Sequence, residues 1–106
     1  MYLPIMTPGQ FTAALAQPKP VIALFGQRGC DACRSTKPVV RGYVAHHPEL
    51  EAIEVNVDSF EDIADTYRIK NTPTLILFVA GQPAARGEGE FDERRVERLM
   101  ARGLAK

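Results

Sequence analysis

The chain has no tryptophan, and only two of its 106 residues are cysteines. Two cysteines are too few for a disulfide scaffold, and a chain of this length does not need one. A structural zinc site wants four ligands. The other soft candidates, His46 and His47, are adjacent and so point to different sides of a helix. Neither sign of charge is in excess, with 13 Lys plus Arg against 13 Asp plus Glu. That leaves no electrostatic footprint for nucleic acid or an anionic membrane. No apolar run approaches a bilayer span. Met1 to Met6 lacks a charged leader and a long apolar stretch, so it does not read as a secretory signal. The expectation is a reducing, cytoplasmic setting. There are no repeats and no low-complexity tails. Residues 1–106 are enough for one domain with its own core and leave no room for a second.

What the chain does have is Cys30-Asp31-Ala32-Cys33. The pair follows an apolar run, Val21-Ile22-Ala23-Leu24-Phe25, and opens a segment that reads as a helix. Two thiols on a helix's first turn can close a small disulfide and reopen it. The partial positive charge and unpaired N–H groups of a helix N-terminus favour a thiolate. The plain alternative is two buried structural cysteines. Placement between strand and helix argues for redox chemistry instead.

The surrounding elements alternate. Thr7-Pro8-Gly9-Gln10 reads as a capped helix start, with Phe11, Ala14 and Leu15 as its apolar stripe. Residues 21 to 25 have the continuous apolar pattern of a strand covered on both faces. A helix from about Cys33 to His47 carries Val39, Val40, Tyr43 and Val44 as its buried stripe, with Pro38 inside it. Ala52 to Val57 alternates as a strand, with Ile53, Val55 and Val57 on one face and Glu54 and Asn56 on the other. Asp58-Ser59 should cap a short helix bearing Phe60, Ile63, Ala64 and Tyr67. Thr74 to Val79 is a third apolar strand. Gly81-Gln82 is the turn into an edge strand, Ala84 to Gly89. A last helix starts near Asp92 with Val96, Leu99, Met100 and Gly103 inward. A parallel βαβ half followed by an antiparallel hairpin and a helix predicts a three-layer α/β/α sandwich with a mixed central sheet.

With these motifs in order, the chain resembles the thioredoxin family over nearly its whole length. The resemblance rests on Cys30-x-x-Cys33 after an apolar strand, Pro38 five residues later, Val55-Asn56-Val57-Asp58, and Tyr67 to Thr74 running through Asn71-Thr72-Pro73 into Leu75-Ile76-Leu77-Phe78. Gly81 and Gly89 complete it. It implies a thiol–disulfide oxidoreductase that reduces protein disulfides, with Cys30 as nucleophile and Cys33 as resolving thiol. It implies that Pro73 follows a cis bond, that the Thr72 backbone pairs with an extended substrate, and that Gly29 and Gly89 border the groove. It further implies no cofactor on the chain itself, a nicotinamide-dependent disulfide reductase as electron donor, and a monomer.

The chain also departs from the family pattern. Gly29 stands where a tryptophan usually precedes the first cysteine, and Asp31-Ala32 replaces Gly-Pro. Asp31 opposes a nearby thiolate, while Arg28 and Arg34 favour it. Leu24 stands where the family usually keeps a buried Asp that accepts the resolving thiol's proton. Glu54 stands where its neighbour on the next strand is usually Lys. Glu54 is therefore a candidate proton acceptor for Cys33, against the plainer reading of a glutamate at a frayed strand end. Lys37 reads first as a solvated helical lysine and second as a source of positive potential near the site; His46 and His47 read as a solvated helix C-terminus, Arg94, Arg95, Arg98 and Arg102 as a solvated face, and Tyr43 and Tyr67 as core. Alternatives to a general reductant are a narrow-substrate oxidase, isomerase or glutaredoxin-like protein, a non-catalytic binding module of the same fold, and a metal-bridged dimer.

Overall fold

The computed structural model describes residues 1–105. At its centre lies β2 (Val21–Gly26), in which every residue is buried. β2 pairs in parallel with β3 (Glu51–Asn56), and β3 pairs in parallel with a short edge strand, β1 (Tyr2–Pro4). On its other side β2 runs antiparallel to β4 (Thr74–Val79), which turns back into β5 (Gln82–Glu88). The sheet order is β1-β3-β2-β4-β5. The helices are α1 (Pro8–Ala16), α2 (Asp31–Ala45), α3 (Glu61–Thr66) and α4 (Glu93–Leu104). This is the expected α/β sandwich with a mixed sheet. No helix among the described residues is long and apolar enough to cross a membrane.

The period of two along β2 divides the core. Ile22 and Leu24 face α2 and α4 and pack with Val40, Leu75 and Leu99. Val21, Ala23 and Phe25 face the other way, toward Phe11 of α1 and Ile53 and Phe78 of the neighbouring strands. Burying one such large apolar side chain contributes roughly 1.5–3 kcal/mol, so both faces are needed to hold the layers.

Several boundaries differ from expectation for local reasons. β1 was not foreseen, because three residues ending in Pro4 carry too little pattern. An edge strand tolerates that proline, and the ladder resumes where the Ile5 N–H reaches the Glu54 carbonyl at 2.9 Å. α2 starts at Asp31, with Cys30 as its N-cap. Its buried stripe is Cys33, Thr36, Val40 and Val44, and Val39 and Tyr43 flank it half-buried. Asp58 and Ser59 do not cap α3. Their N–H groups are taken by the Asn56 side chain at 2.8 and 3.0 Å, which delays the helix until after Phe60. The hairpin turn is Ala80-Gly81, at φ 54° and 79°, one residue earlier than read. Positive φ at both positions matches the twist of the flanking strands. β5 therefore runs from Gln82 and stops at Glu88, leaving Gly89 outside it. The Thr7 capping box is as read, and the helix expected to start near Asp92 has that residue as its N-cap.

Candidate active site

The topology brings three chain segments to one end of the sheet. Phe25 lies opposite Thr74, so the C-terminal end of β2 meets the N-terminal end of β4. Thr74 lies opposite Glu88, which places the end of β5 beside the start of β4, at the same end of the sheet. The turn after β2 passes through Gly29 at φ 81°, a left-handed conformation that disfavours a side chain even though the space there is open.

Cys30 and Cys33 are joined as a disulfide with their Cα atoms 5.2 Å apart. As N-cap, the Cys30 sulfur accepts the Cys33 N–H at 3.1 Å. Cys30 is half-buried, whereas Cys33 is only 7% exposed. The two sulfurs thus have an outer and an inner position. Asp31 is 89% exposed and pairs with Arg34, 70% exposed, across one turn. A pair so open to water contributes at most about 1 kcal/mol.

The Thr72–Pro73 peptide bond is cis, as the resemblance implies. The Thr72 hydroxyl donates to Gln27 Oε1 at 2.9 Å, which ties this loop to the turn before Cys30. The Gly89 N–H donates to the Pro73 carbonyl at 2.8 Å. Gly89 is thus bonded to Pro73, and Thr72 to the turn that leads through Gly29 to Cys30. Gly89 sits at φ 91°, where a side chain would strain the backbone.

Beside the disulfide lies a cavity of about 320 Å³, lined by Cys30, Cys33, Leu24, Arg34, Lys37 and Glu54 among others. Leu24 and Glu54 are register partners on adjacent strands. Glu54 is not at a frayed end. It is 25% exposed, accepts from the Tyr2 hydroxyl at 3.0 Å and meets Lys37 Nζ at 2.9 Å. Burial first, then the Glu54 carboxylate, holds the Tyr2 phenol far above its usual range. Lys37 is accordingly tied to Glu54 and is not a free helical lysine.

Other contacts escaped the sequence. Arg95 and Arg102 are not purely solvated. Arg95 donates to the Glu90 and Glu88 carbonyls at 2.7 and 2.6 Å and lies 4.0 Å over the Phe91 ring. Arg102 donates to the Arg86 carbonyl at 3.0 Å. The alternation with Glu93 and Glu97 hid them, because a long guanidinium can reach back over a neighbouring strand. Ser35 and Thr36 of α2 bond Glu90 and Phe91. His46 and His47 each donate from Nδ1 to a carbonyl one turn back, Gly42 and Tyr43, at 2.9 and 2.7 Å. Tyr67 packs against Phe11, Phe25 and Phe78, as a core residue should, while Tyr43 stacks on His47 at 4.0 Å.

A thioredoxin family model matches residues 3–102. The thioredoxin of Alicyclobacillus acidocaldarius subsp. acidocaldarius is 30% identical, over 91% of this chain and 92% of its own. The bifunctional thioredoxin reductase/thioredoxin of Mycobacterium leprae is 30% identical over 72% of this chain and 17% of its own. Among solved structures, Malassezia sympodialis thioredoxin superposes with a TM-score of 0.85 at 21% identity, covering 98% of this chain and 92% of that one. At that identity it speaks for the fold alone. The family match spans nearly the whole chain, and the disulfide-capable pair stands at the strand–helix junction of that fold. The chain belongs to the thioredoxin family and is a thiol–disulfide oxidoreductase.

Proposed function

We propose that this chain, acting as one domain, reduces protein disulfides by cycling its own Cys30–Cys33 pair. The observation that carries the reading is the asymmetry of the two sulfurs at a helix N-terminus: Cys30 outer, Cys33 buried behind it. In the reduced form the Cys30 thiolate attacks one sulfur of a substrate disulfide. A mixed disulfide forms, and one substrate thiolate leaves. Cys33 then loses its proton, and its sulfur attacks Cys30 Sγ. The Cys30–Cys33 bond forms, the bond from Cys30 to substrate breaks, and the second substrate thiolate leaves. Two electrons pass to the substrate, and both thiolates take up protons.

The α2 N-terminus stabilises negative charge on Cys30, since the Cys33 N–H donates to that sulfur and the helix dipole is positive at this end. Thr72 offers its backbone to an extended substrate segment. Gly29 and Gly89 leave the flanks of that segment open, with Pro73 between them. Glu54 accepts the Cys33 proton across the shared cavity. The oxidised pair is returned to dithiol by a nicotinamide-dependent disulfide reductase. The Mycobacterium leprae relative, whose name joins thioredoxin to thioredoxin reductase, supports such a donor. The working setting is the cytoplasm, and the working form is a monomer.

The test is reduction of insulin with dithiothreitol as the electron source. Wild type accelerates it, and Cys30→Ser abolishes the acceleration. Cys33→Ser, exposed to a cell extract, accumulates mixed disulfides on Cys30. Acceleration that survives in Cys30→Ser, or an absence of trapped disulfides in Cys33→Ser, rejects this reading.

A further inference from the structure

The carboxylate of Glu54 is shared between two other elements of the fold. Oε1 accepts the Tyr2 hydroxyl of β1 at 3.0 Å, and Oε2 meets the Lys37 ammonium of α2 at 2.9 Å. Lys37 follows Cys33 by four residues, so both project from one face of α2. Both line the cavity that Glu54 also lines. The charged and titratable groups around Glu54 come from every neighbouring element. β1 gives Tyr2, and α2 gives Cys33, Arg34 and Lys37. Arg41 of α2 lies 4.9 Å over the Tyr2 ring, and the turn after β2 gives Arg28. β2 gives Leu24 and Gly26, neither of which carries a charge. The Tyr2 phenol keeps its proton through the ordinary pH range and remains a donor.

We propose that Lys37 and Tyr2 are positioning residues that hold the Glu54 carboxylate facing the cavity it shares with Cys33, with Lys37 the counter-ion for both Glu54 and the Cys33 thiolate. This rests on Glu54 being the proton acceptor. Before transfer the cavity holds a thiol, a carboxylate and an ammonium. After it, the cavity holds a thiolate, a carboxylic acid and the same ammonium. The net charge is unchanged, so the transfer needs no new ion to enter a half-buried site. A cation stabilises whichever neighbour carries the negative charge, and a neutral hydroxyl donor favours the ionised carboxylate. Cys33 then attacks Cys30 Sγ as its proton stays on Glu54.

The experiment has two readouts: the pH profile of disulfide reduction, and the titration of Cys33 in a Cys30→Ser background, followed by thiolate absorbance. Lys37→Met should move the Cys33 titration about one unit upward, about tenfold less thiolate at neutral pH. Its reduction profile should move to higher pH, and Lys37→Arg should restore both. Tyr2→Phe should move the reduction profile the same way by less. Glu54→Gln should lower the Cys33 titration, because a like charge is gone, while slowing reduction because the acceptor is gone. If Lys37→Met and Tyr2→Phe leave both readouts at wild-type positions while Glu54→Gln changes them, the positioning role is overturned and the acceptor stands. If Glu54→Gln leaves the rate and its pH profile unchanged, the acceptor role falls and this inference with it.

Discussion

The buried hydroxyl of Thr36 in α2 accepts the Phe91 N–H at 3.0 Å. This bond fastens the helix of the disulfide to the segment between β5 and α4, two residues past Gly89. Valine has nearly the shape of threonine but cannot accept. Thr36→Val should therefore cost about 1–3 kcal/mol, the penalty of an unpaired buried donor. It should appear as a lower urea midpoint with an unchanged slope, and Thr36→Ser should recover most of the loss. An unchanged midpoint in the valine variant would show that the bond is dispensable.

Arg95 grips the backbone on either side of Gly89, through the Glu88 and Glu90 carbonyls. Arg95→Met keeps an apolar stem over Phe91 and removes both donors. The expected effect is a rise of roughly fivefold in KM for a protein disulfide, equivalent to about 1 kcal/mol, with kcat little changed. Steady-state kinetics with a protein substrate decide it. Equal KM values for variant and wild type count against a role in the groove.

Two helical glycines should respond oppositely to alanine. A Cβ at Gly42 would meet nothing within 4 Å, so Gly42→Ala should gain about 0.5–1 kcal/mol from helix propensity. A Cβ at Gly103 would collide with the buried Leu77 side chain and press on Ala85 at 3.3 Å. Gly103→Ala should lose about 1–3 kcal/mol through overpacking, less the propensity gain. Thermal midpoints measured side by side check the pair, and a rise in both would refute the tight α4–sheet contact.

Stability should also fall at alkaline pH. Burial is the first cause that raises the Tyr2 and Tyr43 phenols above their ordinary value, and neighbouring glutamates add to it. Above about pH 10 the unfolded chain has released these protons and the folded chain has not. The folded state then binds more protons, so stability declines as pH rises, and below that range this contribution is fully present. Tyr2→Phe should flatten the decline of the urea midpoint between about pH 9 and 11. Parallel curves for variant and wild type would contradict the raised Tyr2.

Most of the fold was legible because its signals are local and strong. The apolar run of β2, the alternation of β3, the cap at Thr7 and the helix start near Asp92 each follow from a few neighbouring residues. The pair at Cys30 and Cys33 was legible for the same reason, and the cis bond before Pro73 followed from the family pattern. What escaped depends on reach across the fold. β1 is three residues long and gains its meaning only from pairing with β3. Asn56 takes the turn that Asp58 was expected to take, a competition between side chains with similar propensity. The partners of Glu54, Tyr2 and Lys37, lie 35 positions apart in the sequence, and no spacing rule joins them. Arg95 looked solvated because its helix alternates in charge, yet its guanidinium lies on backbone carbonyls.

The position of β2 in the sheet has a dynamic consequence. It is hydrogen-bonded on both sides and buried along its full length, while β1 and β5 form the margins. Local opening starts where pairing is one-sided and contacts are few, and reaches the centre only in global unfolding. The reactive pair thus follows directly from the strand whose amides should exchange with solvent most slowly. Thr72 and Gly89, which the proposed substrate groove includes, sit on loops near the sheet's ends. Substrate can reshape those loops while the sulfurs stay anchored to the most persistent part of the molecule.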